Sequence, residues 1–476
     1  MTAAFGAGIA NLAAPSRARS PPRVRPARAA AKMRPHDAAA EKTAARVTMI
    51  LENKSSDSVS GTAASVHRSW EHVKGSKRAE NTVNPIRRLV QGIDVKPNPA
   101  LAKIDLSIGD PTVYGNLKPP REAEEALAQL VLGGTVNGYP PSMGVLESRR
   151  AVAEFFSTPL APLEARDVYL TAGGSGALEL ALGAVADPGD NVLVPQPGFP
   201  LFMTTAGNLG IECKRYLIDP DRQWEANLDS IRAAVDDRTR AVVLNNPSNP
   251  CGSVWSAEHV QKVVELAAEL KLVVLADEIY ADMVFPPNTF VSAAEASRDA
   301  PVLVLGGISK RYVVPGWRLG WVLVHDRHNI LEHAGMRNAL NMLTMRMLIP
   351  SMLVQAVLPT LMDRSSVSVQ QNVNSLLSTL QANAMLCVQR LGRAPALQPL
   401  EPGGALYLMV RIDLDRLGFR DDMEFTKALY AEQAVFVLPG QCFEAPGFVR
   451  IVFAAPREVL SEAMDRIQQF CEAHSS

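Results

Sequence analysis

Cysteine is scarce in this chain: five in 476 residues, at 213, 251, 387, 442 and 471, with no Cys-x-x-Cys pair and one left over under any full pairing. That excludes a disulfide-stapled scaffold and favours a reducing compartment. Net charge is nearly absent too, because 48 Lys+Arg face 49 Asp+Glu for a formal −1. The chain therefore lacks the broad basic field of a dedicated nucleic-acid binder. No apolar run reaches the roughly 18 residues a membrane-crossing helix needs. The nearest stretch, Met347–Met362, is uncharged but broken by Pro350 and Pro359, and reads as a buried, Met-rich helix pair in the core or at a subunit contact. A soluble protein is expected.

Acid is missing from Met1 to His36, where Arg17, Arg19, Arg23, Arg25, Arg28, Lys32 and Arg34 collect among Ala, Ser and Pro. Residues 1–68 read as a disordered basic tail and linker, with 54–66 polar throughout and Trp70 the first anchor of folded structure. Prolines interrupt any amphipathic helix there, so a cytoplasmic protein is expected. The Arg-rich, acid-poor composition keeps a mitochondrial transit segment as the alternative.

What is present is a core: 47% of residues are hydrophobic. Short apolar runs recur at Val168–Leu170, Asn191–Val194, Ala241–Leu244, Leu272–Leu275, Pro301–Leu305 and Gly320–Val324. Several are apolar at successive positions, as in strands covered on both faces, and helical stretches such as Ala177–Ala186 and Glu258–Leu270 lie between them. This predicts an α/β fold with a large, mostly parallel sheet. Beyond about 355, a long helix at Val367–Leu391 precedes strands at Ala405–Val410, Val435–Leu438 and Val449–Phe453 and helices at Asp422–Glu432 and Glu458–Ala473. That texture predicts a smaller α+β domain. The boundaries expected are an N-terminal arm with part of the small domain at 69–115, a large cofactor-binding domain at 116–354 and a small C-terminal domain at 355–476.

Ligands of such sheets bind where the strands' C-terminal ends open. Those ends carry Pro195-Gln196-Pro197-Gly198-Phe199, Asn245-Asn246-Pro247-Ser248-Asn249-Pro250-Cys251-Gly252, Ala276-Asp277-Glu278-Ile279-Tyr280, and Gly306-Gly307-Ile308-Ser309-Lys310 followed by Pro315-Gly316-Trp317-Arg318. Taken singly, each has a structural explanation: Asp277 as a turn cap, Asn249-Pro250 as a turn, Lys310 and Arg318 as solvated cations. Together they bring an Asn, an Asp, a Tyr, a Lys and an Arg to one cleft. A pyridoxal phosphate enzyme needs this set. A lysine bonds the cofactor aldehyde, an acid keeps the ring nitrogen protonated, and a helix N-terminus with an arginine takes the phosphate. Cys251 is better explained by packing than as a catalytic thiol, and His325 as a surface or supporting residue than as a general base.

These segments, with Asn84-Pro85-Ile86-Arg87, Ser107-Ile108-Gly109-Asp110-Pro111 and Val314-Pro315-Gly316-Trp317-Arg318-Leu319-Gly320-Trp321, resemble the fold-type-I pyridoxal-phosphate aminotransferases over roughly residues 69–474, most of all the tyrosine-using branch. The resemblance implies that Lys310 bonds the cofactor and shuttles the substrate proton. It implies that Asp277 pairs with the ring nitrogen, Tyr280 and Asn249 bond the ring oxygen, and Phe199 stacks on the ring. Ser175, Gly176 and Arg318 would hold the phosphate. Tyr139 would reach a neighbouring subunit's phosphate, implying a homodimer with shared active sites. Arg450 would clamp the substrate α-carboxylate, with Gly109 and Asn249 bordering it. L-tyrosine is the implied donor, with other aromatic amino acids or methionine also handled, and 2-oxoglutarate or another 2-oxo acid the acceptor. No metal, nucleic acid or membrane partner is expected.

One departure stands out: where many relatives place a phosphate-binding serine three residues before the lysine, this chain has Gly307. No second arginine for a distal carboxylate is located securely, and Arg87 reads as a structural arm residue. The alternative is a lyase of the same fold, of the carbon–sulfur or aminocyclopropane-carboxylate synthase type. A DNA-binding regulator would need a packed helical module that residues 1–70 are too rich in Pro, Ala and Ser to form. A nicotinamide dehydrogenase fails at Glu179, which stands where the third fingerprint glycine belongs.

Overall fold

The computed structural model describes residues 74–346 and 350–475. The basic tail, the 54–66 linker and the Trp70 anchor lie outside the described residues, as do 347–349 of the Met-rich stretch.

Strand β1 (Ile104–Asp105) precedes the eight strands of the larger sheet. These are β2 (Val168–Thr171), β3 (Asn191–Gln196), β4 (Glu212–Asp219), β5 (Glu225–Ala226), β6 (Thr239–Asn245), β7 (Val273–Asp277), β8 (Val302–Gly307) and β9 (Gly320–His325). Their order is β2-β9-β8-β7-β6-β3-β4-β5. The run β8-β7-β6-β3-β4 is parallel, while β9 runs against both neighbours and β5 reverses the edge. The six expected runs are all strands here. Strand β4 escaped the apolar-run reading because its sequence is largely polar and its side chains mostly half-buried or exposed.

Neighbouring residues on the central strands feed opposite layers, as the two-residue period requires. Val192, Val194, Val243, Leu275 and Leu305 pack into one core, whereas Leu193, Val242, Leu244, Val274 and Val304 pack into the other. Helices cover both faces. Ala257–Glu269 is typical: Ser256 caps it by accepting from the His259 amide, and Val260, Val263, Val264 and Ala267 form its buried stripe.

The second sheet follows β10 (Leu397–Leu400) and β11 (Tyr407–Ile412) with β12 (Val435–Phe436), β13 (Leu438–Pro439) and β14 (Phe448–Val452). Antiparallel pairing gives the order β10-β11-β14-β13, while β12 pairs in parallel with β1. The single strand expected at Val435–Leu438 is thus two, serving different sheets. The 25-residue helix Val367–Leu391 matches its expected span.

Pro359 does not break its helix. It lies inside Met352–Leu361, where it lacks the N–H that would reach the Gln355 carbonyl four residues back. The buried Ser148 hydroxyl donates to that carbonyl instead, at 2.7 Å. The helix survives its proline because a neighbouring helix supplies the missing donor. Replacing Ser148 with Ala should cost about 1–3 kcal/mol by stranding a buried carbonyl. Adding Pro359→Ala should recover much of it, since an alanine at that position brings back the backbone donor. Urea midpoints of the two single variants and the double test this, and simple additivity would refute it.

Candidate functional site

The larger sheet sets the site through register. Asn245 at the end of β6 lies opposite Asp277 at the end of β7, and β8 ends at Gly307, three residues before Lys310. Above these strand ends opens a cavity of about 890 Å³. Gly109, Ser175, Phe199, Asn249, Asp277, Tyr280, Lys310, Arg318 and Arg450 all line it. Two expected residues do not. Gly176 is buried behind Ser175 in the same helical turn, and Tyr139 is fully exposed outside the cavity.

Desolvation at the cavity floor pushes the Asp277 carboxyl up to about 7; the Ile279 amide, donating at 3.3 Å, and the nearby Lys310 charge pull only weakly the other way. Among the described residues no cation lies within ion-pair distance of it. A desolvated carboxyl so placed favours a cationic N–H partner, which would restore its charge. The Lys310 ammonium donates to the Gly109 carbonyl at 2.5 Å.

At the other end of the cavity, helix Gly173–Val185 begins at Ala172 with no side-chain cap, leaving its first amides for an anion. Gly173 sits at φ +74°, and a Cβ there would stand 2.6 Å from Arg318 Nη2. The glycine is thus what lets the guanidinium lie over the helix start. Among the described residues Arg318 bonds only the carbonyls of Pro315 and Ala172. This combination suits a phosphate. The serine missing at 307 has a steric reason: a Cβ on Gly307 would lie 2.9 Å from the Leu319 carbonyl, so β8 has no room for it.

Arg450 is 3% exposed yet faces no carboxylate among the described residues. It donates to Asn249 Oδ1 at 2.9 Å and to the Ser107 carbonyl at 2.6 Å, while its Nε finds no partner among the described residues. Its guanidinium lies between the rings of Tyr407 and Phe443, 4.5 and 4.6 Å from their centroids. A buried, aromatic-flanked cation with an unused donor is a receptor for a carboxylate.

Tyr407 is the lining residue that the sequence reading missed; Gly403-Gly404-Ala405-Leu406 before it signals only a turn into a strand. Cys251 is fully buried with its thiol pushed up by burial, so the rejection of a catalytic thiol stands. His325 is half-buried rather than a surface residue, and desolvation lowers it to about 4. It pairs with Val302 at the start of β8, the end of that strand remote from Lys310.

A family model for aminotransferase class I and II matches residues 102–467. The chain belongs to the aminotransferase class I and II family. Tyrosine aminotransferase of Mus musculus is 46% identical over 418 residues, covering 88% of this chain and 91% of that protein. The Dictyostelium discoideum tyrosine aminotransferase is 42% identical over 408 residues, covering 86% and 98%. Among solved structures, tyrosine aminotransferase from Leishmania infantum superposes with a TM-score of 0.79 at 34% identity, covering 86% of this chain and all of that one. The family's fold is the one described above, with its large, mostly parallel sheet. No described helix is long and apolar enough to cross a membrane.

Beside Asp277, Glu278 faces the other way. Its carboxyl accepts from Ser292 Oγ at 3.0 Å and the Ala293 amide at 2.8 Å, and burial raises it to about 8. Burial therefore favours the protonated form of Glu278 in the folded protein, whereas in the unfolded chain the group ionises in the ordinary carboxylate range. Its burial costs stability progressively as pH rises from about 4.5 to about 8 and adds no further slope above that. Glu278→Gln should flatten the pH dependence of the urea midpoint across that window, with little change at its acid end. An unchanged pH profile would place Glu278 in an ionised state.

Proposed function

We propose that the cavity holds pyridoxal 5'-phosphate and that the chain transfers the amino group of L-tyrosine, and of other aromatic amino acids or methionine, to 2-oxoglutarate or another 2-oxo acid. The observation that carries this reading is the convergence, in one cavity, of a lysine, a desolvated carboxyl and a buried guanidinium, the last two without an opposite charge beside them among the described residues. Bound there, the cofactor supplies an electron sink that acidifies the substrate's α-carbon proton. Lys310 would hold it covalently, and its amine is the group placed to carry that proton. Asp277 holds the ring nitrogen protonated. Tyr280 and Asn249 meet the ring oxygen, and Phe199 covers a ring face. Ser175 and Arg318 take the phosphate, with Gly176 shaping the helix turn behind Ser175. Arg450 orients the substrate through its α-carboxylate, with Gly109 and Asn249 beside it. The names of the mouse and Dictyostelium relatives support tyrosine as donor.

The same proposal includes a homodimer in which Tyr139, wholly exposed on this protomer, completes the neighbouring site. The division at residues 116–354 and 355–476, with an arm at 69–115, belongs to it as well, supported by the two sheets occupying 168–325 and 397–452. The free thiols of all five cysteines support a cytoplasmic location.

Borohydride reduction of the purified protein should fix the cofactor's mass on the Lys310 peptide, and Lys310→Ala should lose both label and turnover. Keto-acid formation from tyrosine should require an added 2-oxo acid. Ammonia release without an acceptor would overturn the transferase in favour of a lyase. Arg450→Ala should lower kcat/KM for tyrosine by the equivalent of about 2–5 kcal/mol, as for one partner removed from a buried charge pair. An unchanged value would remove Arg450 from the substrate site.

A further inference from the structure

Tyr407 opens strand β11 and is buried, with only 2% of its surface exposed. It touches both halves of the cavity. Its hydroxyl lies 2.6 Å from that of Tyr280, the two rings meeting edge to face at 5.6 Å. Its ring face lies under Arg450, 4.5 Å from the guanidinium carbon. Two glycines make room for it. A Cβ on Gly109 would stand 2.5 Å from the Tyr407 hydroxyl, and one on Gly252 would collide with its carbonyl oxygen. Tyr407 is thus seated closely against the segments that carry Lys310's carbonyl partner and Asn249.

Hydrogen-bond direction gives this contact its meaning. A hydroxyl has one proton to donate. If Tyr280 donates into the cavity, it can only accept from Tyr407, so the Tyr407 O–H must point at Tyr280. Donation into a hydroxyl strengthens that hydroxyl's own donation, because each bond polarises the next. We propose that Tyr407 is a positioning residue: its hydroxyl fixes Tyr280 as a donor into the cavity, while its ring supports the Arg450 guanidinium. One side chain thereby serves the contact to the cofactor's ring oxygen and the contact to the substrate's carboxylate. The inference rests on the pyridoxal phosphate reading above.

The sign of its effect follows. With the cofactor held by Lys310 as proposed, a proton would be shared between the lysine nitrogen and the ring oxygen. Loss of that proton leaves negative charge on the oxygen, where a donor from Tyr280 stabilises it and lowers the midpoint. Tyr407→Phe removes the strengthening and keeps the ring.

The experiment is a pH titration of the bound cofactor's absorbance in the intact holoenzyme, for wild type, Y280F, Y407F and the double variant. Y407F should move the midpoint upward by roughly half a unit, the scale expected when a charged hydrogen bond loses a cooperative neighbour. In the Y280F background the same substitution should move nothing, because its route is gone. Y407F should leave KM for tyrosine within about twofold, whereas Y407L, which removes the ring beneath Arg450, should raise it severalfold. A Y407F midpoint equal to wild type overturns the proposal, as does an equal shift in both backgrounds or a Y407L KM matching that of Y407F. Thermal midpoints of all variants separate these results from misfolding. A wild-type protein that takes up no absorbing cofactor would instead overturn the function proposed for the site.

Discussion

A guanidinium removed from water without a counter-charge is among the more expensive groups a protein can bury. Among the described residues Arg450 is such a group, and much of the site is arranged around it. Two aromatic faces, one side-chain amide and one backbone carbonyl hold it, and none of them neutralises it. The segments that supply those contacts come from β11, from the loop after β6, from the stretch containing Ser107 and from the short turn Gly440–Phe443. Binding a carboxylate there repays part of the burial cost. The fold therefore stores, at one position, a preference for a particular charge in its ligand.

The large sheet does the complementary work for Asp277. Parallel strands bring their C-terminal ends to one edge, so residues far apart in sequence arrive together. Register, not local conformation, puts Asn245 opposite Asp277. Lys310 reaches the same opening because β8 is the next strand over.

Most of this was legible because buried parallel strands announce themselves as continuous apolar runs, and the residues that follow each run are where such sheets hold ligands. Polar β4 carried no such run, and β10 is short. The Val435–Leu438 stretch looked like one strand because nothing in its composition shows that Val437 separates pairings in two sheets. Pro359 misled for a different reason. The donor that rescues its helix sits on Ser148, more than two hundred residues away in sequence, and only the packed structure supplies it. Tyr407 was passed over because an aromatic residue in a strand normally means core, and its polar tip acquires a role only when Tyr280 and Arg450 are beside it. Gly307 read as a lost contact; the packed strands show that a larger residue would collide with the backbone of the next strand.

Asp277 and Glu278 are consecutive acids at a strand terminus, and the pleat sends them to opposite sides. The outward acid is taken up by Ser292 and Ala293, so the inward one alone is left to answer a cation across the opening, and the polarity of the chamber's floor is decided by one residue rather than shared between two.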